Sequence, residues 1–352
     1  MPGISPQALA GYILEEMLAY LLRNAGYRLL TDESQDPHEL ANRHHGLIVR
    51  GRGAEHQVDV LGELLWIPAF TYPLRLVLEA KCRKGKTDIA TVRNMVAALL
   101  DINQNNMTQR AAAGTPPIPR AKYAYVGAIF SASGFSSHAA DFALAHAVSL
   151  VDLRATAFRS LVTAARQCAT TLSAYYEAEE TGSPARFVRA IRDSLRVELN
   201  TALMPEANLT PDDLGIPRRA LEVAIQAAQQ TDELFVGMAS GPYMLVLKAD
   251  NPAAFLRYAA ERPTHPVTIH WSRAEDDGET WSVVPRDHRR AYQLSFKLPE
   301  RLASWIFSAE NVRRAALSAK QTFLSSITIY RREEQQDRLI RLTYDPGRIE
   351  RV

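Results

Sequence analysis

The run Leu74-Arg75-Leu76-Val77-Leu78-Glu79-Ala80-Lys81 constrains this chain more than any other stretch. Its aliphatic residues suit a strand laid against a buried core, yet it ends on two charged side chains one residue apart. Asp88 is placed to cap a helix from Ile89 to about Ile102, with Val92, Met95, Val96, Leu99 and Leu100 on one face. Tyr123 to Phe130 then reads as a second buried strand. Upstream, apolar residues at helical spacing predict a helix from about Pro6 to Ala25, stopped by Gly26. Strands are expected at Tyr27–Leu30, Leu47–Arg50 and Gln57–Leu65, the last carrying Asp59 near its start, with Thr31 to His45 as a polar loop. Pro68 and Pro73 suit a hairpin-like link into the Leu74 strand, and Asn103 to Arg120 reads as an exposed loop. An alanine-rich helix, His138–His146, and a strand, Val148–Leu153, complete an α/β pattern: a mixed sheet flanked by helices.

At 352 residues the chain exceeds the usual domain of about 100 to 200 residues, so two domains are expected. Residues 1–154 form the first. Helical patterns at Ala155–Glu180 and from Ser183-Pro184 to about Leu199 suggest a helical connector over 155–204. Residues 205–352 read as an α+β domain, with seven strand-like runs, taken as mainly antiparallel, and helices near 218–230, 252–261 and 309–323.

Hydrophobic residues at 47% and charged residues at 23% exclude wholesale disorder and collagen-like repeats. The net charge of +2, from 41 basic and 39 acidic side chains, argues against a polybasic binder. It hides an uneven distribution, however: 12 basic against 17 acidic side chains over 156–283, and 14 against 8 over 284–352. Two cysteines, Cys82 and Cys168, make neither a disulfide framework nor a zinc spacing, which points to a reducing cytoplasm. A buried thiol is the expected state of Cys82. No secretory leader and no apolar run of about 20 residues is recognisable, so no membrane association is expected.

The residues that carry chemistry are Asp59 and, after nineteen intervening residues, Glu79-Ala80-Lys81. Carboxylates beside a core are costly unless paired. Glu79 and Lys81, two apart on a strand, share a face, while Ala80 points away and offers its carbonyl. Asp59, Glu79 and that carbonyl are oxygen donors suited to a hard divalent cation, Mg2+ or in its place Mn2+. Such an ion polarises a phosphate and acidifies a bound water, and a nearby ammonium stabilises the developing charge. A plain ion pair is the other account of these residues.

Together with Gly11-Tyr12-Ile13-Leu14-Glu15, Gly26-Tyr27, His56-Gln57-Val58-Asp59-Val60, the strand Tyr123 to Phe130 and the turn Ser131 to Phe135, these motifs resemble the PD-(D/E)XK nuclease superfamily, in its Mrr-like restriction endonuclease branch. The resemblance covers about residues 8–153. It implies a restriction-endonuclease-like fold and a metal-dependent endonuclease acting on DNA in restriction or antiphage defence. Asp59 and Glu79 would be metal ligands, Lys81 the catalytic lysine, and Glu15, eleven positions before Gly26, the helix glutamate. Val58 stands where the motif has proline, and Glu79 departs from the glutamine of the Mrr branch.

Gln57 is read as sharing the face of Asp59, and His56 as structural; His44-His45 falls in a loop. Arg50, Arg52, Arg83, Lys84 and Lys86 flank the centre and are expected to meet DNA phosphates. The alternative function is a catalytically silent nucleic-acid-binding or complex-assembly module on the same fold; RNA and branched DNA remain open as substrates. Residues 155–352 resemble no nameable family and are expected to select the target by meeting DNA, a partner protein or a small signal. Cutting both strands with one centre per chain calls for a homodimer.

Overall fold

The computed structural model describes residues 4–43, 46–65, 71–105, 122–179, 183–201, 216–240, 244–274, 278–298, 300–332 and 337–344. His44-His45, Pro68, most of the 103–120 loop and residues 202–215, from the end of the expected connector into the expected α+β domain, lie outside them. Helix α1 (Pro6–Asn24) starts where the Ser5 side chain accepts from the Ala8 N–H at 3.2 Å and Pro6 fills the first turn. It buries Leu9, Ile13, Leu14, Met17, Leu18, Leu21 and Leu22. It ends at Gly26, whose φ of +89° favours glycine; a Cβ there would lie 1.6 Å from the Tyr330 ring, so this cap is also where the two halves of the molecule meet.

The first sheet runs β1 (Tyr27–Leu30), β5 (Val60–Leu64), β6 (Leu74–Lys81), β7 (Ala124–Ser131), β8 (Ser149–Asp152). Its first two pairings are antiparallel and its last two parallel, so it is mixed, as the element pattern implied. Leu76, Leu78 and Ala80 of β6 pack toward α1; Val77, on the opposite face, packs toward α2 (Ile89–Asn103). Asp88 caps α2 by accepting from Thr91 N–H. Helix α3 (Ser137–Ala145) lies on the α2 side. Helices α4 (Arg159–Glu179), α5 (Pro184–Glu198) and α6 (Arg218–Gln229) add their apolar faces to the cluster under α1, so the first core runs well past residue 154.

Two local expectations are corrected. Gln57–Leu65 is not one strand: β4 (Glu55–Gln57) joins β3 (Gly46–Arg50), and the chain bends at Val58-Asp59 before β5 enters the main sheet. The partners differ on either side of the bend, which alternation alone does not reveal. The expected loop at 31–45 holds β2 (Leu40–Arg43), which extends the small sheet to β2-β3-β4. Arg75, fully buried on β6, ties these parts together. Its guanidinium reaches Asp36 at 2.8 Å and Glu63 at 2.9 Å, donates to the Tyr125 hydroxyl at 2.9 Å, and lies over the Tyr123 ring.

The second unit is a closed barrel. Its strands are β9 (Leu234–Ala239), β10 (Met244–Ala249), β11 (Thr264–Ala274), β12 (Gly278–Pro285), β13 (Leu294–Phe296), β14 (Ser326–Arg332) and β15 (Asp337–Thr343). They close in the order β10-β13-β12-β11-β15-β14-β9. Pairing is antiparallel except β11 with β15. Trp281, Phe235, Phe255 and Leu294 fill its core, with helices α7 (Pro252–Glu261), α8 (Glu300–Phe307) and α9 (Val312–Thr322) against it. The architecture is α/β overall, in two units. No helix among the described residues is long and apolar enough to cross a membrane.

His265 gives the barrel unit a pH dependence. It is buried, its Nδ1 donates to the Arg262 carbonyl at 2.7 Å, and its Nε2 accepts from the Tyr292 hydroxyl at 2.5 Å. Burial holds its pKa below the ordinary 6.5. An unfolded chain therefore takes up a proton before the folded one, and stability present above about pH 6.5 falls as the solution is acidified. Unfolding followed between pH 8 and 5 should show this loss, and His265→Asn should flatten it; an equal slope in both proteins would remove His265 as the cause.

Candidate functional site

The site forms at the carboxyl end of β6, where the strand leaves the core. Asp59 stands on the bend before β5, and its carboxylate accepts from the Ala80 backbone N–H at 2.9 Å. That bond fixes the Asp59 side chain against the strand that carries Glu79 and Lys81. Lys81 is ion-paired directly with Glu79, as expected of two residues sharing a face. Glu15 enters from α1. It lies close enough to Asp59 and Lys81 for each to act on its charge.

Electrostatics mark this cluster as unusual. Burial pushes the Glu15 carboxyl up to about 8, with Asp59 and Glu16 adding to the shift and Arg192 and Lys81 opposing it. The Glu15–Arg192 ion pair at 3.0 Å would by itself lower the value. Burial is the larger effect, and Arg192 also serves Glu16, from which its Nε lies 2.7 Å. Asp59 is also raised, first by burial, against the Ala80 N–H and Lys81, which favour the charged form. Asp59, Glu79 and the Ala80 carbonyl offer oxygen atoms of the kind a hard cation takes. Among the described residues, no three His, Cys, Asp or Glu side chains are gathered closely enough to hold an ion by themselves.

Arg192 and Arg196 were not legible as site residues. Both come from α5, and Arg196 Nε lies 2.9 Å from Glu16. Glu16 is buried along with Glu15. Burial alone would raise its pKa, but Arg196 and Arg192 outweigh it and hold the carboxyl below the ordinary range. The available signal was Arg189, Arg192 and Arg196 interleaved with Phe187, Ile191 and Leu195. That pattern marks a half-buried helix face without naming its partner.

The flanking residues divide. Arg83, Lys84 and Lys86 are exposed in the turn directly after Lys81, where they can meet a polyanion. Arg52 is exposed on the 51–54 bend. Arg50 is instead committed to structure: its guanidinium donates to the carbonyls of Pro37 at 2.7 Å and Leu40 at 2.5 Å. Gln57 is exposed at the end of β4, in the small sheet, so the bend at Val58 breaks the strand face it was expected to share with Asp59. His56 is structural, with Nε2 on Asp101 at 2.8 Å, and Asp101 also accepts from the Gly53 and Ala54 N–H groups. Cys82 and Cys168 are buried thiols; burial raises both, Cys168 to about 12, so neither is a thiolate near neutrality.

No protein-family profile matches the chain, and no curated protein matches it. One solved structure, described as the crystal structure of a protein of unknown function, AF1548, is similar over 54% of this chain and 99% of its own. The identity is 16% and the TM-score 0.27, too low to bear on fold or function.

Proposed function

We propose that the chain is a metal-dependent endonuclease that hydrolyses DNA phosphodiester bonds. One observation carries the reading: Asp59 is anchored by hydrogen bond to the strand that presents Glu79 and Lys81, with Glu15 in electrostatic reach. Asp59, Glu79 and the Ala80 carbonyl would hold Mg2+ or Mn2+. Bound there, such an ion polarises a phosphoryl oxygen and lowers the pKa of a water. The chain's own residues do the rest. Lys81 places an ammonium beside the reacting phosphate, where charge develops. Arg83, Lys84 and Lys86 hold neighbouring phosphates and fix the strand's position. Glu15 stands by as a carboxyl able to carry a proton near neutral pH. Cutting of both strands would use two chains, and a homodimer supplies them.

A second reading, a silent nucleic-acid-binding or assembly module on the same fold, draws on the ion pairing of Lys81 with Glu79 and of Glu15 with Arg192. Incubation with plasmid, linear, single-stranded and modified DNA separates the two. Products with Mg2+ or Mn2+ and none in excess chelator are expected. Binding without product under every metal would favour the silent module, and cleavage undiminished by chelator would overturn the metal assignment.

A further inference from the structure

The outer wall of the barrel does not lie flush against the first sheet. Between them runs a cleft of about 640 Å³, within the range of roughly 300–1,000 Å³ for small-molecule sites, which favour junctions between structural units. One wall is β8, the edge strand of the sheet, so a row of its peptide N–H and C=O groups faces away from β7. The facing wall includes Met244, Val246 and Lys248, which alternate onto the outer face of β10. Leu150 and Phe158 make the first wall apolar near its middle.

Four cationic side chains, Arg154, Lys248, Lys297 and Arg301, line the cleft against one carboxylate, Asp152. Arg154 pairs with Asp152, Lys248 with Glu233 at 3.5 Å, and Arg301 with Asp141. Every member of these pairs is a third to a half exposed; Asp152 fixes Arg154 at the cleft wall, with Nε 3.0 Å from both carboxylate oxygens, whereas a pair as long and exposed as Lys248–Glu233 holds weakly in water. Apolar walls, edge-strand peptide groups and cationic side chains at the lining are the complement of one ligand class.

We propose that this cleft binds a small organic anion, its phosphate or carboxylate head met by Arg154 and Lys248. The apolar body lies between Leu150 and Phe158 on one side and Val246 on the other. The site is separate from the acidic centre and does not depend on the nuclease reading. The two share the carboxyl edge of the sheet: Lys81 is in register with Ser131, and Ser131 with Asp152, a distance of two strand spacings or roughly 10 Å.

Titration of the full chain with N-methylanthraniloyl-AMP by fluorescence, and with dodecyl phosphate by calorimetry, distinguishes a nucleotide from a lipid-like anion. Saturable binding of either probe, one per chain, is expected at or below about 100 µM, with inorganic phosphate at least about tenfold weaker. Val246→Trp, which fills the cleft, should weaken binding about tenfold or more, as should Arg154→Glu combined with Lys248→Glu. The exposed Arg219→Glu on α6 should leave it unchanged. Circular dichroism checks the fold of each variant, and the charge reversals, made on exposed side chains, keep the test decisive if Val246→Trp misfolds. The proposal is overturned if neither probe saturates by about 1 mM. It is equally overturned if folded cleft variants bind within about twofold of the parent.

Discussion

Asp59→Asn should reduce DNA cleavage by about a thousandfold or more while the protein melts at the same temperature or higher. The expected loss is at the upper end of what removal of one charge-stabilising group costs. The amide oxygen still accepts from the Ala80 N–H, so the hydrogen bond at 2.9 Å survives and only the charge is lost. That charge is disfavoured by burial, which holds the Asp59 pKa above its ordinary value, so its removal relieves the folded state. A residue kept for structure would behave in the opposite way, losing stability with its pairing. Lys81→Ala should match it in activity, since Glu79 alone provides no cation for the developing charge. Cleavage assays beside thermal melts read both effects. Activity within about tenfold of the parent in either variant would remove that residue from the chemistry.

Arg192→Ala should destabilise the protein by about 3–5 kcal/mol, the cost of breaking a buried ion pair from one side. The substitution strips Glu15 of its 3.0 Å partner and Glu16 of its 2.7 Å partner, leaving Arg196 to hold Glu16 alone. Both glutamates are buried on α1, which also buries Leu9, Ile13, Leu14, Met17 and Leu18 in the first core. Replacing both sides by neutral groups, Arg192→Met with Glu16→Gln, should recover part of the loss: Glu16 then carries no charge, Arg196 keeps Asp193 at 3.8 Å, and Glu15, pushed up to about 8, takes a proton near neutrality. Denaturant unfolding of the single and double variants measures this. A loss below about 1 kcal/mol for Arg192→Ala would mean that α5 is not fastened to α1 through these charges.

The strand Leu74–Lys81, the helix capped by Asp88 and the strand from Ala124 were legible because local rules fix them. Aliphatic runs, a capping carboxylate and helical spacing act within a few residues. Glu79 and Lys81 were legible as a pair for the same reason, since strand pleating sets their common face. The bend at Asp59 was not, because it depends on β4 and β5 choosing different partners, Ile48 opposite Gln57 and Leu78 opposite Val60. Strand register is a property of the partner as much as of the strand. Gln57 and Arg50 lost their expected places on that account: one went to the small sheet, the other to the carbonyls of Pro37 and Leu40.

By itself, then, the sequence determined the α/β character, the chemistry-bearing side chains and the order in which they are delivered. Tertiary structure alone decided that α5, 176 residues from Glu16, completes the acidic centre with Arg192. It alone closed seven strands into a barrel and left a cleft between that barrel and β8. The physical reason is range. Hydrogen-bonded local geometry is written in neighbouring residues, whereas the neutralisation of a buried charge and the closure of a sheet are settled by whatever the folded chain brings alongside.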